Sequence, residues 1–329
     1  MIIYFCRARN RNRTMKKILD FKTVCECNRN LGCKTWHPQV SIINLENLNL
    51  KEEAVKFDFY TILLIEECPN SCCCGRKYYD FSNTTMVFLM PGEIFRMSEE
   101  NTLPDKGYLL AFHPNLLSQT SLKSHIQNYT FFQYRKEEAL HLSQRETSKI
   151  TCCLENIEDE LHHPIDTHSN IILSKHIELF LDYCTRYYER QFITRENKNK
   201  AILKTAEKIL DDYIASGRLQ SGKLPTPYHI AGKLHLSAAY FNDLLKFETG
   251  KTWEEYFQFK QLEKAKHLLQ KNDNSPIAVA KQLGYPNVQY FSFIFKKGQA
   301  VHRMTIGTHK TKRPWVFLKD KPSTHENSM

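Results

Sequence analysis

Two stretches in the last third of the chain carry the same pattern of apolar and small residues. Residues 230–250 read "IAGKLHLSAAYFNDLLKFETG", and residues 277–297 read "IAVAKQLGYPNVQYFSFIFKK". In each stretch a short helical pattern is followed by a turn of a few residues and then by a second helical pattern. A long helical segment, which opens with the capping box of Thr252 and Glu255, joins the two. This repeat constrains the region to an all-α module of two helix-turn-helix units on one linker helix.

Capping residues and apolar spacing define the helices of each unit. Ser237 is an N-cap for the second helix of the first unit. Ser275 caps the second unit, and Pro276 takes its first helical position, where a missing N–H costs nothing. The second helix of each unit has three inward-facing apolar positions, which are Phe241, Leu244 and Leu245 in the first unit and Val288, Phe291 and Phe295 in the second.

The other positions of these second helices form an outer side of small and polar residues. The major groove of B-DNA admits one α-helix, so both are candidate recognition helices. Asn242 and Gln289 are the best base readers by chemistry, because a side-chain amide pairs bidentately with adenine. The residues predicted to contact DNA are Ser237, Ala238, Ala239, Tyr240, Asn242, Asp243, Lys246, Asn287, Val288, Gln289, Tyr290, Ser292, Phe293, Lys296 and Lys297.

Residues 196–297 resemble the DNA-binding domain of the AraC/XylS family of bacterial transcription regulators. The matching motifs are "LHLSAAYFNDLLKFETGKT", "EKAKHLL", "IAVAKQLGY" and "QYFSFIFKK". The resemblance implies that the two units enter successive major grooves of double-stranded DNA, one helical turn apart. It also implies a cupin-like sensor and dimerisation domain, hence a homodimer, an unknown small-molecule effector, and RNA polymerase as a further partner. We predict no cofactor and no metal site.

Two residues depart from the pattern of the family. Asp243 stands where a basic or amide residue is usual, and phosphate repels it, although it can accept from cytosine N4 or orient a neighbouring lysine. Phe293 stands where arginine is common, and it is either a contact for a thymine methyl group or exposed apolar surface.

Charge is concentrated in the same part of the chain. Residues 196–297 carry 16 Lys and Arg against 10 Asp and Glu, and residues 298–329 carry 6 against 2. The net charge of the whole chain is +10, so residues 1–195 are neutral overall. A basic module behind a neutral one indicates a polyanion partner for the C-terminal part.

The neutral part predicts a β-rich domain followed by helices. Apolar runs separated by turn residues are typical of strands in a sandwich or small barrel, and they read "VSIINL" (40–45), "FDFYTILLI" (57–65), "TMVFLM" (85–90), "YLLAFH" (108–113) and "YTFFQY" (129–134). A capping box at Ser143 and Glu146 then opens the first of two helices. Their apolar seams, which fit packing on the barrel or on a second subunit, are Ile150, Leu154, Ile157 and Leu161, then Leu173, Ile177, Phe180, Cys184 and Tyr187.

The predicted fold class is therefore α+β, with a small barrel or sandwich plus helices followed by an all-α domain. The domains are a sensor and dimerisation domain over residues 15–195, the double helix-turn-helix domain over 196–297, and an irregular tail over 298–329. Met15 is a second candidate start, which would make residues 1–14 a non-native leader. No apolar run approaches the roughly 18–20 residues of a membrane span, and neither a secretory signal nor a disulfide framework is present, so we expect a cytoplasmic protein.

The sequence after Lys297 departs from the family pattern, and a change in the gene would explain the departure. The family continues past the second recognition helix with Gly-x-Thr-Pro-x-x-Tyr-Arg, but residues 298–307 read "GQAVHRMTIG". Codons can be chosen for these residues so that a shifted frame reads Thr-Gly-Cys-Thr-Pro-Asn-Asp-Tyr-Arg. We therefore hypothesise a single-base frameshift at or near Lys297–Gly298. An alternative function follows from it, namely a frameshifted copy of a regulator that is defective in DNA binding.

The 11 cysteines support an alternative hypothesis, in which the protein belongs to a different functional class. "CPNSCCCG" (68–75), with Cys25, Cys27 and Cys33, holds enough thiolates for a zinc site of the alkylation-repair type or for a metal or redox sensor. The absence of a CxxC pair counts against it, and a cysteine-rich hairpin tip is the simpler interpretation. No phosphate loop, HxH pair or nucleophile motif is present, so we predict that the protein is not an enzyme.

Overall fold

The computed structural model describes residues 18–46, 54–66, 84–96, 106–118, 120–270 and 274–306. Its strands form two sheets, neither of which closes into a barrel within these residues. The first sheet has the order β1-β3-β6, where the strands are β1 (Ile18–Phe21), β3 (Ala54–Phe57) and β6 (Glu93–Arg96). The second has the order β2-β7-β4-β5-β8, where the strands are β2 (Val40–Asn44), β7 (Gly107–Phe112), β4 (Tyr60–Ile65), β5 (Thr85–Leu89) and β8 (Leu140–His141).

The five-stranded sheet is buried on both faces, and the alternation of side chains along its strands shows this. Ile43, Leu63, Val87 and Leu109 lie in one buried cluster with residues of the three-stranded sheet. Their neighbours in sequence point the opposite way and join a second cluster with the helices, namely Ile42, Ile62, Leu64, Met86, Phe88 and Leu110. Because both faces are covered, β4 and β5 are nearly continuous hydrophobic runs. The domain is thus a sandwich with a helical layer on its outer face.

Four of the five predicted strands are confirmed, and the fifth is wrong. Residues 129–134 contain a 3-10 helix, Thr130–Gln133, instead of a strand. A strand would send Phe131 and Phe132 to opposite faces, but here both are buried in the same core cluster and pack on Phe88. The run at 57–65 is split by a bend at Asp58 and Phe59 into β3 and β4. The Pro91-Gly92 turn joins β5 to β6, with Gly92 at φ +87°.

The two predicted helices of the first domain pack on their own sheet. α3 (Gln144–His162) begins with the predicted capping box, in which Ser143 N–H donates to the Glu146 carboxylate over 2.8 Å. α4 (Ser169–Thr194) runs alongside it. The apolar seam residues of both helices are buried in the core cluster that also contains residues of the five-stranded sheet. These seams therefore pack on their own domain and not on a second subunit. Two short helices, α1 (Val24–Asn30) and α2 (Leu122–His125), were not predicted.

Within the described residues, the C-terminal part consists of helices joined by turns and loops and has no strand. Its helices are α5 (Glu196–Ala215), α6 (Pro227–Lys233), α7 (Ala238–Thr249), α8 (Trp253–Gln270), α9 (Pro276–Gln282) and α10 (Val288–Ile306). Contacts divide the chain into two compact units. One holds the residues up to Leu210 with Pro225–Trp253, and the other holds Asp211–Leu224 with the residues from Glu254 onward. The first of these compact units therefore contains α6 and α7 as well as both sheets. The domain boundary near residue 195 stays a prediction.

The end of α10 differs from the expectation of an irregular tail. The helix continues to Ile306, nine residues past Lys297. Residues 299–304 include the good helix formers Gln299, Ala300, Arg303 and Met304, and no proline occurs before Pro314, so the single Gly298 does not end the helix. The frameshift concerns the gene and stays a hypothesis.

Candidate nucleic-acid interface

The turns of the two helix-turn-helix units have the same backbone geometry. After α6 the chain passes through His235 at φ +57°, and after α9 it passes through Gly284 at φ +77°. Each turn is closed by a backbone hydrogen bond of 2.9 Å between residues five positions apart, from Leu236 N–H to Ala231 O in the first unit and from Tyr285 N–H to Ala280 O in the second. Both turns therefore use the left-handed conformation that ends a helix sharply.

The second turn requires glycine for a second reason. A Cβ at Gly284 would lie 2.7 Å from the backbone oxygen of Leu219, which is closer than any real Cβ contact. Gln261 of α8 donates its side-chain amide to Leu283 O over 2.9 Å and holds the end of α9 on the linker helix. These contacts set the position of α10 within its unit.

The two candidate recognition helices also begin alike. Ser237 Oγ accepts from Tyr240 N–H over 3.1 Å at the start of α7, as predicted for an N-cap. Asn287 Oδ1 accepts from Tyr290 N–H over 2.7 Å at the start of α10. The predicted core residues of α7 are fully buried, and Phe241 packs on Trp253 at 6.0 Å between ring centroids.

α10 presents its predicted DNA-contacting residues to solvent. The exposed members are Asn287, Gln289, Tyr290, Phe293, Lys296 and Lys297. Phe293 is 63% exposed, which is far above the exposure of a core aromatic. Val288 and Ser292 are half-buried. Gln289, Phe293, Lys296 and Lys297 follow the spacing of one helical face, so an amide, an aromatic ring and two cations are available together.

α7 presents much less of its predicted set. Lys246 is exposed, and Ala238, Ala239, Asn242 and Asp243 are half-buried. Asn242 Oδ1 is buried and finds no hydrogen-bond partner among the described residues. Two further members, Ser237 and Tyr240, are buried, with exposed fractions of 8% and 3%.

The segment Thr130–Glu138 of the first domain is what covers α7. Asp243 Oδ2 accepts hydrogen bonds from Thr130 Oγ1 at 2.5 Å and from Tyr134 OH at 2.7 Å. At the start of the helix, Ser237 donates its N–H to Glu138 Oε1 over 2.7 Å and its hydroxyl to Glu138 Oε2 over 2.5 Å. Sequence patterns missed these contacts because Thr130 and Asp243 are 113 residues apart in the chain.

Aromatic rings complete this contact. Tyr240 packs on Tyr134 at 5.2 Å and on Phe192 at 5.4 Å between centroids, and Phe192 also contacts Phe247 of α7. Burial, and then the charge of Asp243, raise the pKa of Tyr134 well above its ordinary value. The Tyr134 hydroxyl therefore stays protonated and donates to the carboxylate at any physiological pH.

The cysteine hypothesis receives little support from the described residues. Burial raises the pKa of Cys27 to about 12 and also raises the pKa of Cys33, which disfavours the thiolate that metal binding needs. Among the residues that the structure describes, no group of three potential metal ligands is assembled. Cys68 and Cys72–Cys74 lie outside those residues, so a role for them stays a hypothesis.

Comparison with known proteins gives the following matches. Residues 230–300 match the family model of a helix-turn-helix domain. The C-terminal domain of the two-component response regulator yesN from Fusobacterium nucleatum is 30% identical over 28% of this chain and 95% of that chain, with a TM-score of 0.23. ToxT from Vibrio cholerae O395 is 12% identical over 78% of this chain and 92% of that chain, with a TM-score of 0.26.

A further crystal structure, of unsaturated fatty acid bound wild-type ToxT from Vibrio cholerae strain SCE256, is 16% identical over 79% of this chain and 90% of that chain, with a TM-score of 0.26. TM-scores this low bear on neither fold nor function. Comparison with curated proteins gave no significant match. None of the described helices combines the length and the hydrophobicity that crossing a membrane requires.

Paired units with one turn geometry, the exposed face of α10 and the family match define a helix-turn-helix DNA-binding protein. Residues 230–300 are a helix-turn-helix domain of the AraC type, and the chain is a DNA-binding transcription regulator of α+β fold. Proteins of this family are not usually enzymes.

Proposed function

We propose that the chain is a sequence-specific regulator that reads DNA with α7 and α10 in successive major grooves. The observation that carries the proposal is the exposed face of α10, where Gln289, Phe293 and Lys296 lie on one side of a helix in a basic module. The amide reads a base edge, the ring contacts an apolar base surface, and the lysines bind phosphates. Such a protein works in the cytoplasm beside RNA polymerase.

Replacement of Gln289 tests the assignment of base reading. Gln289→Ala is expected to relax preference at one base pair by about 1–3 kcal/mol, because the bidentate amide contact is lost. The measurement is selection of bound sequences from a pool of random 30-base-pair duplexes, followed by titration of the selected duplex and its single-base variants.

Lys246→Ala is the matched control for this experiment, since Lys246 is exposed on α7 and is assigned to phosphate. It is expected to weaken binding to every duplex alike. Equal losses on all duplexes for Gln289→Ala as well would show that Gln289 does not face the bases.

The effector is proposed to be a small molecule that binds the first domain. A cavity of about 250 Å³ lies between β2 and α3, with Val40, Ile42, Trp36 and Leu161 among its lining residues. Lys34 also lines it, with Nζ 3.4 Å from the centroid of the Trp36 ring. Five of its eleven lining residues are polar, namely Lys34, Ser41, Asn44, Glu158 and His162, so the cavity offers a small molecule both apolar contacts and hydrogen-bond partners.

We propose that the regulator is a homodimer and that the outer side of α4 is its interface. Ile172, Leu179 and Tyr183 recur on this side at spacings of seven and four, and the first two are 37% and 47% exposed. Lys175 and Asp182, which carry opposite charges, lie seven residues apart along one edge of the stripe. An apolar stripe at heptad spacing beside charges of both signs is complementary to a second copy of the same helix in antiparallel orientation.

Replacing the central leucine of this stripe tests the dimer. Leu179→Glu is expected to convert the protein to a monomer, because two carboxylates would face each other across a symmetric interface. Sedimentation velocity over a concentration series measures the change. Leu224→Glu is the control, since Leu224 is a 57% exposed leucine of the other compact unit and should leave the dimer intact. A monomeric parent protein, or an unchanged Leu179→Glu dimer, would contradict the proposed interface.

A further inference from the structure

The two recognition helices differ at equivalent positions, although their turns and caps are alike. Tyr240 and Tyr290 both supply the N–H that is bonded by the cap, yet Tyr240 is 3% exposed and Tyr290 is 46% exposed. Three residues further on, Asp243 is hydrogen-bonded to the first domain while Phe293 is 63% exposed. The N-terminal half of the side that α10 offers to solvent is therefore covered in α7, while Lys246 near its C-terminal end stays exposed.

We propose that Thr130, Tyr134 and Glu138 form a clamp that holds α7 in a form that cannot bind DNA, and that this clamp must open before the first helix-turn-helix unit enters a major groove. The inference rests on the proposed function of α7 and α10, and it adds the way in which the first of these helices is regulated.

Glu138 occupies the place that a DNA phosphate needs. Free backbone N–H groups at the start of a helix bind anions, and recognition helices commonly contact phosphates in this way. Here the Glu138 carboxylate takes both the N–H and the hydroxyl of Ser237, and Glu138 itself is only 4% exposed. A phosphate cannot reach this group until the carboxylate leaves.

Thr130 and Tyr134 hold the groove-facing side of the same helix. Both hydroxyls donate to one carboxylate oxygen of Asp243, and hydrogen bonds to a charged acceptor are the strong class. They also explain an acidic residue on a recognition helix, where it would be repelled by DNA. In the clamped form Asp243 has two donors from the first domain, and in the open form it loses them.

The clamp is connected to the core of the first domain. Phe131 and Phe132 lie between its first two residues in sequence and pack on Phe88 of β5, with centroid separations of 4.5 and 5.6 Å. Tyr188 of α4 stacks on Phe131 and contacts Tyr134. A shift of the sheet against α4 therefore moves the clamp residues directly, which gives the first domain a physical means of releasing α7.

Variants on the first-domain side test the clamp without altering α7 itself. The double variant Thr130→Val with Tyr134→Phe removes both donors to Asp243 and keeps the shape of both side chains. The full-length double variant is expected to bind a random-sequence 30-base-pair duplex at least about tenfold more tightly than the parent, because the binding-competent fraction rises. Fluorescence anisotropy with a labelled duplex measures this affinity.

The matched control is Tyr129→Phe. Tyr129 lies in the same segment and donates its hydroxyl to Asp182 over 2.8 Å, inside the first domain and away from α7. This variant loses the same kind of bond and is expected to leave DNA affinity unchanged.

Hydrogen exchange without DNA provides a second readout. Amides of residues 238–249 should exchange faster in the double variant than in the parent, while amides of residues 288–297 should not change. Unchanged exchange of α7, or unchanged DNA affinity in a variant whose parent binds DNA, would overturn the clamp. Loss of binding in every protein, with faster exchange of α7 in the double variant, would support the clamp and overturn the proposed function instead.

Discussion

Raising the salt concentration from 50 to 200 mM is expected to weaken DNA binding by the full chain by on the order of 10³-fold, if about six phosphates are contacted. The two helix-turn-helix units carry exposed lysines at 233, 246, 281, 296 and 297. Each lysine that neutralises a phosphate releases condensed counterions, and added salt opposes that release. Anisotropy titrations at a series of salt concentrations give the slope of log affinity against log salt.

The lysine pair at the end of the exposed α10 face provides the residue-level test. Lys296→Gln with Lys297→Gln should reduce the magnitude of the slope by about 0.9 for each lysine. Lys22→Gln is the control, because Lys22 is bonded to Asp20 and Asp58 in the first domain. An equal change for Lys22→Gln, or salt-insensitive binding by the parent protein, would contradict electrostatic binding through α10.

Phe241→Ala is expected to lower the free energy of unfolding of the first helix-turn-helix unit by about 3–5 kcal/mol. The ring is fully buried and contacts Trp253, so truncation removes apolar contact area and leaves a cavity beneath α7. That loss is a large part of the roughly 5–15 kcal/mol by which domains are stable. Urea titration followed by circular dichroism, with hydrogen exchange at 238–249, measures the loss.

Phe293→Ala is the matched control for this prediction. It makes the same truncation on the other recognition helix, but Phe293 is 63% exposed, so stability should change by less than about 0.5 kcal/mol. DNA binding should be affected instead if the ring contacts a base. Equal destabilisation by the two variants would show that the faces of the two helices have been assigned wrongly.

Local patterns in the sequence were sufficient to predict the helices and turns of the helix-turn-helix module. Ser143, Ser237 and Ser275 cap the helices for which they were predicted, and Gly284 makes the second turn. These features depend on residues three or four apart, so the physics that produces them is visible in a short window. The same holds for four of the strands, where β-branched and aromatic runs end at turn residues.

Local patterns failed where packing decides the backbone. The run "YTFFQY" has the composition of a strand, yet it contains a 3-10 helix, because Phe131 and Phe132 enter the same core. Strand propensity describes side chains that alternate between two faces, whereas both rings of this segment pack on the same side, against Phe88 of β5. The β-rich part was predicted as a barrel or a sandwich, and pairing between distant strands made it two sheets, neither of which closes within the residues that the structure describes.

The sequence by itself determined that the chain carries two helix-turn-helix units in a basic region, because caps, turns and apolar spacing are local. It also identified Asp243 as a departure, but without its partners. Only the tertiary structure decided that Asp243 accepts from Thr130 and Tyr134 and that Glu138 bonds the start of α7. These contacts join residues about a hundred positions apart, and their formation depends on how the sandwich, α4 and α7 pack together.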